Sequence, residues 1–253
     1  MSNKQNPGQP GQPGSRREQL RAEQARAAKE KRVRDIITYV ALGLGALVIV
    51  GGIIWGVIAA TSANKATPSA GAAGQYTVTV GKADAPVAID IYQDYMCPYC
   101  GQFERTNSGD VAALVADGTA KVQIHPMAFL DDASQGTKYS TRAANALVTV
   151  YKAEPDKALA FNSALYANQP AENSSGLTDA QIADIAVKAG VSQTVASSFT
   201  SMANASFVAD GTNAAFAEGV TSTPTVKING KQYSGDLYTA GAFKSAVLAA
   251  AGK

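Results

Sequence analysis

Cys97 and Cys100 are the only cysteines in 253 residues, and they stand in the sequence Cys97, Pro98, Tyr99, Cys100. Two cysteines so spaced at the start of a helix carry thiol chemistry. The first sulfur lies over backbone N–H groups that have no intrahelical partner, where the positive end of the helix dipole favours a thiolate. The second, one turn in, is shielded and close enough to form a disulfide with the first. Pro98 suits the first turn, because the N–H it lacks is unpaired there in any residue. Cys97 is thus the candidate nucleophile and Cys100 the resolving thiol, with Pro98 and Tyr99 tuning how strongly the thiolate is favoured. A structural zinc site normally takes four ligands, and two cysteines with the single histidine, His125, fall short. A purely structural disulfide across so small a loop restricts the unfolded chain little. Redox exchange remains, with no metal and no cofactor beyond the cysteine pair itself.

The elements that must position the pair are legible around it. Residues 76–80 alternate as a strand, and residues 86–93 form a second run rich in β-branched and aromatic side chains that leads into Cys97. After the pair, residues 102–105 and 111–116 read as a helix interrupted at Asn107, Ser108 and Gly109, and residues 120–124 return as a strand. Strand, helix, strand at this spacing predicts a parallel crossover.

From about residue 134 to residue 218 the period turns helical, with breaks at Glu154 and Pro155, at residues 169–176 and at Gly190. Thr178 and Gln181 fit a capping box, Leu177 and Ile182 fit the hydrophobic staple around it, and Gly190 fits the helix stop. Residues 225–228 and 231–234 flank Asn229 and Gly230, the signature of a type I′ hairpin, and Phe243, Val247 and Leu248 mark a closing helix. His125 reads as a structural residue, since nothing near it in sequence supplies a partner.

Charge divides the chain. Residues 1–35 hold 9 Lys and Arg against 4 Asp and Glu, residues 36–60 hold none, and residues 61–253 hold 13 against 16. The basic excess sits in a short tail beside an apolar run, so the pI of 8.4 makes no case for nucleic-acid binding. Twenty-five uncharged residues exceed the roughly 20 needed to cross a bilayer and far exceed the apolar core of a cleaved signal peptide. Residues 36–60 are therefore expected to be a retained transmembrane signal-anchor. The positive-inside rule puts residues 1–35, a partly disordered basic tail, in the cytoplasm. Residues 61–74 read as a flexible linker, and residues 75–253 as one extracytoplasmic domain.

At this point the sequence resembles a known family. Residues 94–104 around the cysteine pair, the helical insert, and Thr223 with Pro224 ahead of Asn229 and Gly230 are similar to the DsbA family of thioredoxin-fold thiol:disulfide oxidoreductases, in its membrane-anchored actinobacterial form. The resemblance implies an α/β thioredoxin-like fold with a helical insertion at about residues 134–218. It also implies a cis peptide at Thr223-Pro224 facing the disulfide as a substrate-binding element, an exposed Cys97 and a buried Cys100. It implies clients that are unfolded or partly folded secreted proteins, and a reoxidising membrane partner of the DsbB or vitamin K epoxide reductase type. One position departs from the pattern: Ile91 stands six residues before Cys97, where many thioredoxin-fold enzymes carry a buried acid, and Asp90 and Asp94 fall elsewhere on the strand. Two other functions stay open, a reductase running the same chemistry backwards and a non-catalytic, membrane-tethered chaperone or peptide-binding module.

Overall fold

The computed structural model describes residues 72–253. The expected cytoplasmic tail, transmembrane helix and nearly all of the linker lie outside the described residues. Among the described residues no helix is long and apolar enough to cross a membrane.

Strand β2 (Val87–Gln93) buries Val87, Ile89 and Ile91 on one face, as alternation demands, and turns Tyr92 to the other. It pairs in parallel with β3 (Ala120–Pro126), Val87 opposite Ala120 and Gln93 opposite Pro126. Helix α1 (Pro98–Ala116) makes the crossover between them. Strand β1 (Val78–Val80) runs antiparallel to β3 on the outside. On the other side β4 (Thr225–Ile228) runs antiparallel to β2 with Ile91 opposite Val226, and β5 (Lys231–Gln232) closes the sheet in the order β1-β3-β2-β4-β5. Asn229 and Gly230 both take positive φ, 49° and 75°, as the type I′ turn requires.

The helical insert consists of α2 (Tyr139–Ala153), α3 (Ala158–Ala167), α4 (Asp179–Lys188), the single turn α5 (Gln193–Ser197) and α6 (Ala205–Ala217). Thr178 and Gln181 exchange both bonds of the capping box, and beyond the helix end Gly190 takes φ 92°. Helix α7 (Ala242–Ala250) closes the chain against α1, where the rings of Phe103 and Phe243 meet edge to face. The main core joins Ile89, Ile91, Val122 and Ile124 of the sheet to Phe103 and Leu114 of α1 and to Leu147, Phe161 and Leu165 of the insert. A smaller cluster, Tyr92 with Met127, Ala214, Ala215 and Val220, packs α6 on the opposite face.

Helix α1 runs unbroken where the sequence suggested an interruption. Asn107 is buried, and its amide donates to the carbonyl of Phe103 one turn back and to that of Leu237. A glycine inside a helix costs about 1 kcal/mol against alanine, less than the helix recovers by burying Phe103, Val111 and Leu114. Smaller departures lie at the strand ends: β3 runs on to Pro126, while β1 and β5 are shorter than expected.

Candidate active site

Strand β2 ends at Gln93, and Asp94, Tyr95 and Met96 turn the chain before Cys97 takes the N-cap of α1 with extended backbone angles of −72° and 117°. Asp94 thus stands in the turn, not on the strand. Pro98 occupies the first turn and is exposed with Tyr99, while Cys100 points inward. Cys97 is 5% accessible and Cys100 1%, so the first sulfur is nearer the surface but far less open than the resemblance implied. The Thr223-Pro224 peptide is cis. The Cys97 sulfur lies 3.3 Å from the Thr223 carbonyl oxygen, to which it donates when protonated. The structure therefore brings together all six residues singled out by sequence, with both cysteines as free thiols.

The two sulfurs are electrostatically unlike. Cys97 is lowered from 9.0 to about 6, above all by a hydrogen bond from the Cys100 thiol. Burial opposes this, and a hydrogen bond with the Thr223 side chain, together with the backbone N–H groups of Cys100 and Tyr99, supports it. The helix terminus contributes as the sequence suggested, but the partner thiol is the larger cause. Burial, followed by its role as donor to Cys97, pushes Cys100 well above the ordinary thiol range. At pH 7 the pair therefore carries one negative charge, mostly on Cys97.

Four residues that local sequence patterns did not single out for the site shape it. Asp94 is fully buried, and its carboxylate accepts from the backbone N–H of Met96 at 2.7 Å, that of Leu130 at 2.8 Å and the hydroxyl of Ser140 at 2.7 Å. Burial outweighs these bonds and raises its pKa from 3.8 to about 6. Gln169, just past α3, donates to the carbonyls of Tyr95 at 3.1 Å and Cys97 at 2.8 Å. Glu104, one turn beyond Cys100 on the same helix face, is buried with its pKa raised by desolvation. It accepts from Ser163 at 2.6 Å and from Asn162, and it lines a cavity of about 320 Å³ together with Ile91 and Ile124. The buried acid that Ile91 does not provide from the strand is thus present on the neighbouring helix. Tyr238, in the loop between β5 and α7, stands with its ring centroid 6.4 Å from that of Tyr99.

His125 has a partner distant in sequence. Its Nε2 lies 3.0 Å from Asp90 Oδ1, and its ring stacks on Tyr92 at 3.9 Å. Tyr92 in turn accepts from Lys227 and donates to Glu218. This group belongs to the sheet face covered by α6, whereas the cysteines belong to the main core. Among the described residues no cluster of three or more His, Cys, Asp or Glu could hold a metal ion.

A parallel strand-helix-strand unit continued by an antiparallel hairpin, with a cysteine pair capping the crossover helix opposite a cis-proline, defines a redox-active thioredoxin-type domain. The chain belongs to the thioredoxin family, whose profile matches residues 74–247. Among solved structures it is similar to reduced DsbG of Mycobacterium tuberculosis, with 28% identity and a TM-score of 0.62 over 71% of this chain and 89% of that one. It is also similar to oxidised DsbA of M. tuberculosis, at 28% identity and TM-score 0.57 over 69% and 99%. The thiol-disulfide oxidoreductase MdbA of Actinomyces oris matches at 26% and 0.60 over 69% and 85%. In sequence the chain is 40% identical over 131 residues to the serine/threonine-protein kinase PknE of M. tuberculosis, half of this chain but 23% of that protein. It therefore spans less than a quarter of the length of the curated relatives it matches.

Proposed function

We propose that this protein is an extracytoplasmic thiol:disulfide oxidoreductase that oxidises cysteine pairs in unfolded or partly folded secreted proteins. The observation that carries this reading is the opposed shift of the two thiols. A thiolate at Cys97 stabilises the reduced form of the pair and makes its disulfide easier to reduce, which supports the oxidising direction. The solved relatives described as oxidoreductases support the same class of chemistry.

In the oxidising direction a client thiolate attacks Cys97 Sγ of the Cys97–Cys100 disulfide. A bond forms between the client sulfur and Cys97, the Cys97–Cys100 bond breaks, and Cys100 leaves with the electron pair and takes up a proton. A second client thiolate then attacks the client sulfur of the mixed disulfide and releases Cys97 as a thiolate. The client has lost two electrons and the enzyme pair has gained them. A membrane oxidant of the DsbB or vitamin K epoxide reductase type removes them and restores the disulfide.

The arrangement that fits this role has residues 36–60 as a single-pass anchor, residues 1–35 in the cytoplasm, residues 61–74 as a tether and residues 75–253 outside. The basic flank of the apolar run supports that orientation. Equilibrating the full-length protein against glutathione buffers tests the direction. An oxidase has a potential at or above about −180 mV, whereas a value near about −270 mV makes it a reductase. Failure to exchange with any thiol leaves a tethered chaperone or peptide-binding module.

A further inference from the structure

Helices α1 and α3 leave a gap between them below the cysteine pair. Four-residue steps along α1 follow one face, so the stripe that starts at Cys100 passes through Glu104 and Ser108 to Ala112. Across from it α3 offers Ala160 and Ser163. Side chains this short fill little of the space between packed helices, and a cleft of about 320 Å³ remains. Its floor is apolar, made by Ile91, Ile124 and Val111, all buried. Its mouth is exposed at Ala112, Asp156 and Ala160. Apolar cavities of about 150 Å³ already accept a benzene ring, so a one-ring molecule fits here.

A single carboxyl group lies at the buried end. Glu104 accepts from the Ser163 hydroxyl at 2.6 Å and from the amide of Asn162, whose own oxygen is taken by Gln93 and Tyr95, each at 2.7 Å. Both of its donors are neutral, and they fill about half of the roughly four positions at which a carboxylate accepts. Among the described residues no Lys, Arg or His stands within ion-pairing distance of Glu104. Arg105 is exposed, with its guanidinium beside Gly101, and Lys157 pairs with Asp156 at 3.0 Å. Desolvation raises the pKa of Glu104, as it does for a buried charge without a counter-ion. The cleft thus has an apolar floor and an anion that lacks a cation.

We propose that this cleft binds a small molecule carrying a primary ammonium group on a compact apolar body, with the ammonium paired to Glu104 and the body lying on Ile91, Val111 and Ile124. An ammonium brings three donors, enough to take the unfilled positions of the carboxylate while Ser163 and Asn162 keep theirs. A neutral isostere buries the same body and leaves the charge uncompensated. A bare alkylammonium gives up water with almost no apolar burial in return. Neither cysteine lines the cleft, so binding there is a property separate from thiol exchange.

The test is calorimetric titration of the full-length protein in detergent micelles, with protein-free micelles as the blank, using benzylamine, benzyl alcohol and methylamine. Parent, Glu104→Gln and Ala160→Trp are compared, with melting temperatures to register loss of fold. Glu104→Gln keeps the shape of the side chain and removes its charge, and Ala160→Trp places a large ring at an exposed position of the mouth. Benzylamine should bind the parent with a Kd of about 0.1–1 mM, within reach of so small a ligand. Benzyl alcohol and methylamine should bind about tenfold more weakly or less, the scale of a charged hydrogen bond or of the lost apolar contact. Glu104→Gln should weaken benzylamine about tenfold and leave benzyl alcohol unchanged, and Ala160→Trp should abolish benzylamine binding. No benzylamine binding by the parent, equal affinity for benzylamine and benzyl alcohol, or a Glu104→Gln affinity within twofold of the parent overturns the ammonium site. Parent-like binding by Ala160→Trp overturns the cleft as its location.

Discussion

Gln169 donates to the carbonyl oxygen of Cys97 at 2.8 Å, which ties the residue carrying the exposed-side sulfur directly to the helical insert. The same amide reaches Tyr95 at 3.1 Å, so one side chain more than seventy residues away in sequence holds two carbonyls of the turn between β2 and α1.

Gly101 permits that approach. A Cβ built there would fall on the amide oxygen of Gln169, with the Arg105 guanidinium also within 2.8 Å. Gly101→Ala should displace Gln169 and lose both bonds, lowering stability by about 1–3 kcal/mol. Denaturant unfolding of Gly101→Ala, Gln169→Ala and the double variant checks this. The double variant should be little worse than either single one, and additive losses would show that the two residues act independently.

Asp94 should make stability depend on pH in acid. Its folded pKa of about 6 lies above its ordinary 3.8, so between these values the folded protein holds more protons than the unfolded chain and stability falls as pH rises. Asp94→Asn removes that dependence, although it costs hydrogen bonds at every pH. From pH 4 to pH 7 the parent should lose about 2.4 kcal/mol relative to the variant. Urea unfolding of the reduced proteins at pH 4, 5, 6 and 7 gives the difference, and a constant gap contradicts it.

Glu104 follows the same sign. Burial raises its pKa, so its carboxyl costs stability once pH exceeds the unfolded value. Glu104→Gln keeps an acceptor for Ser163 and should be the more stable protein above neutral pH, with its advantage gone in acid. Thermal melts at pH 4 and pH 8 separate this outcome from a variant that is weaker at both.

Cys100→Ala should accumulate mixed disulfides with secreted proteins in cells, because its Cys97 thiolate attacks a client disulfide and displaces one client thiolate, and no Cys100 thiol is left to displace the client from Cys97. Cys97→Ala should accumulate none. Acid trapping, alkylation and non-reducing electrophoresis read the adducts, and the opposite pattern reverses the assignment of nucleophile and resolver.

What the sequence revealed was local. A cysteine pair at a helix start, the capping box at Thr178 and the turn at Asn229 and Gly230 are each specified within a few residues, and each is present in the structure. The errors and omissions involve distant partners. Asn107 read as a helix breaker, yet its bond to Leu237 spans 130 positions and turns it into an anchor for α1. Asp94 and Glu104 look like ordinary acids until α2 and α3 fold over them. Tyr238 lies outside every motif, and only strand order brings it to Cys97.

The central claim is that Cys97 is the thiolate of the pair. Absorbance of the thiolate at about 240 nm, followed in the reduced full-length protein as pH is raised, tests it most directly because only an ionised thiol below the ordinary range of about 8.5 titrates early. The midpoint should lie at about 6, persist in Cys100→Ala at a higher value because its largest source is the Cys100 thiol, and vanish in Cys97→Ala. A first midpoint near the free-thiol value, or one that survives Cys97→Ala, contradicts the account.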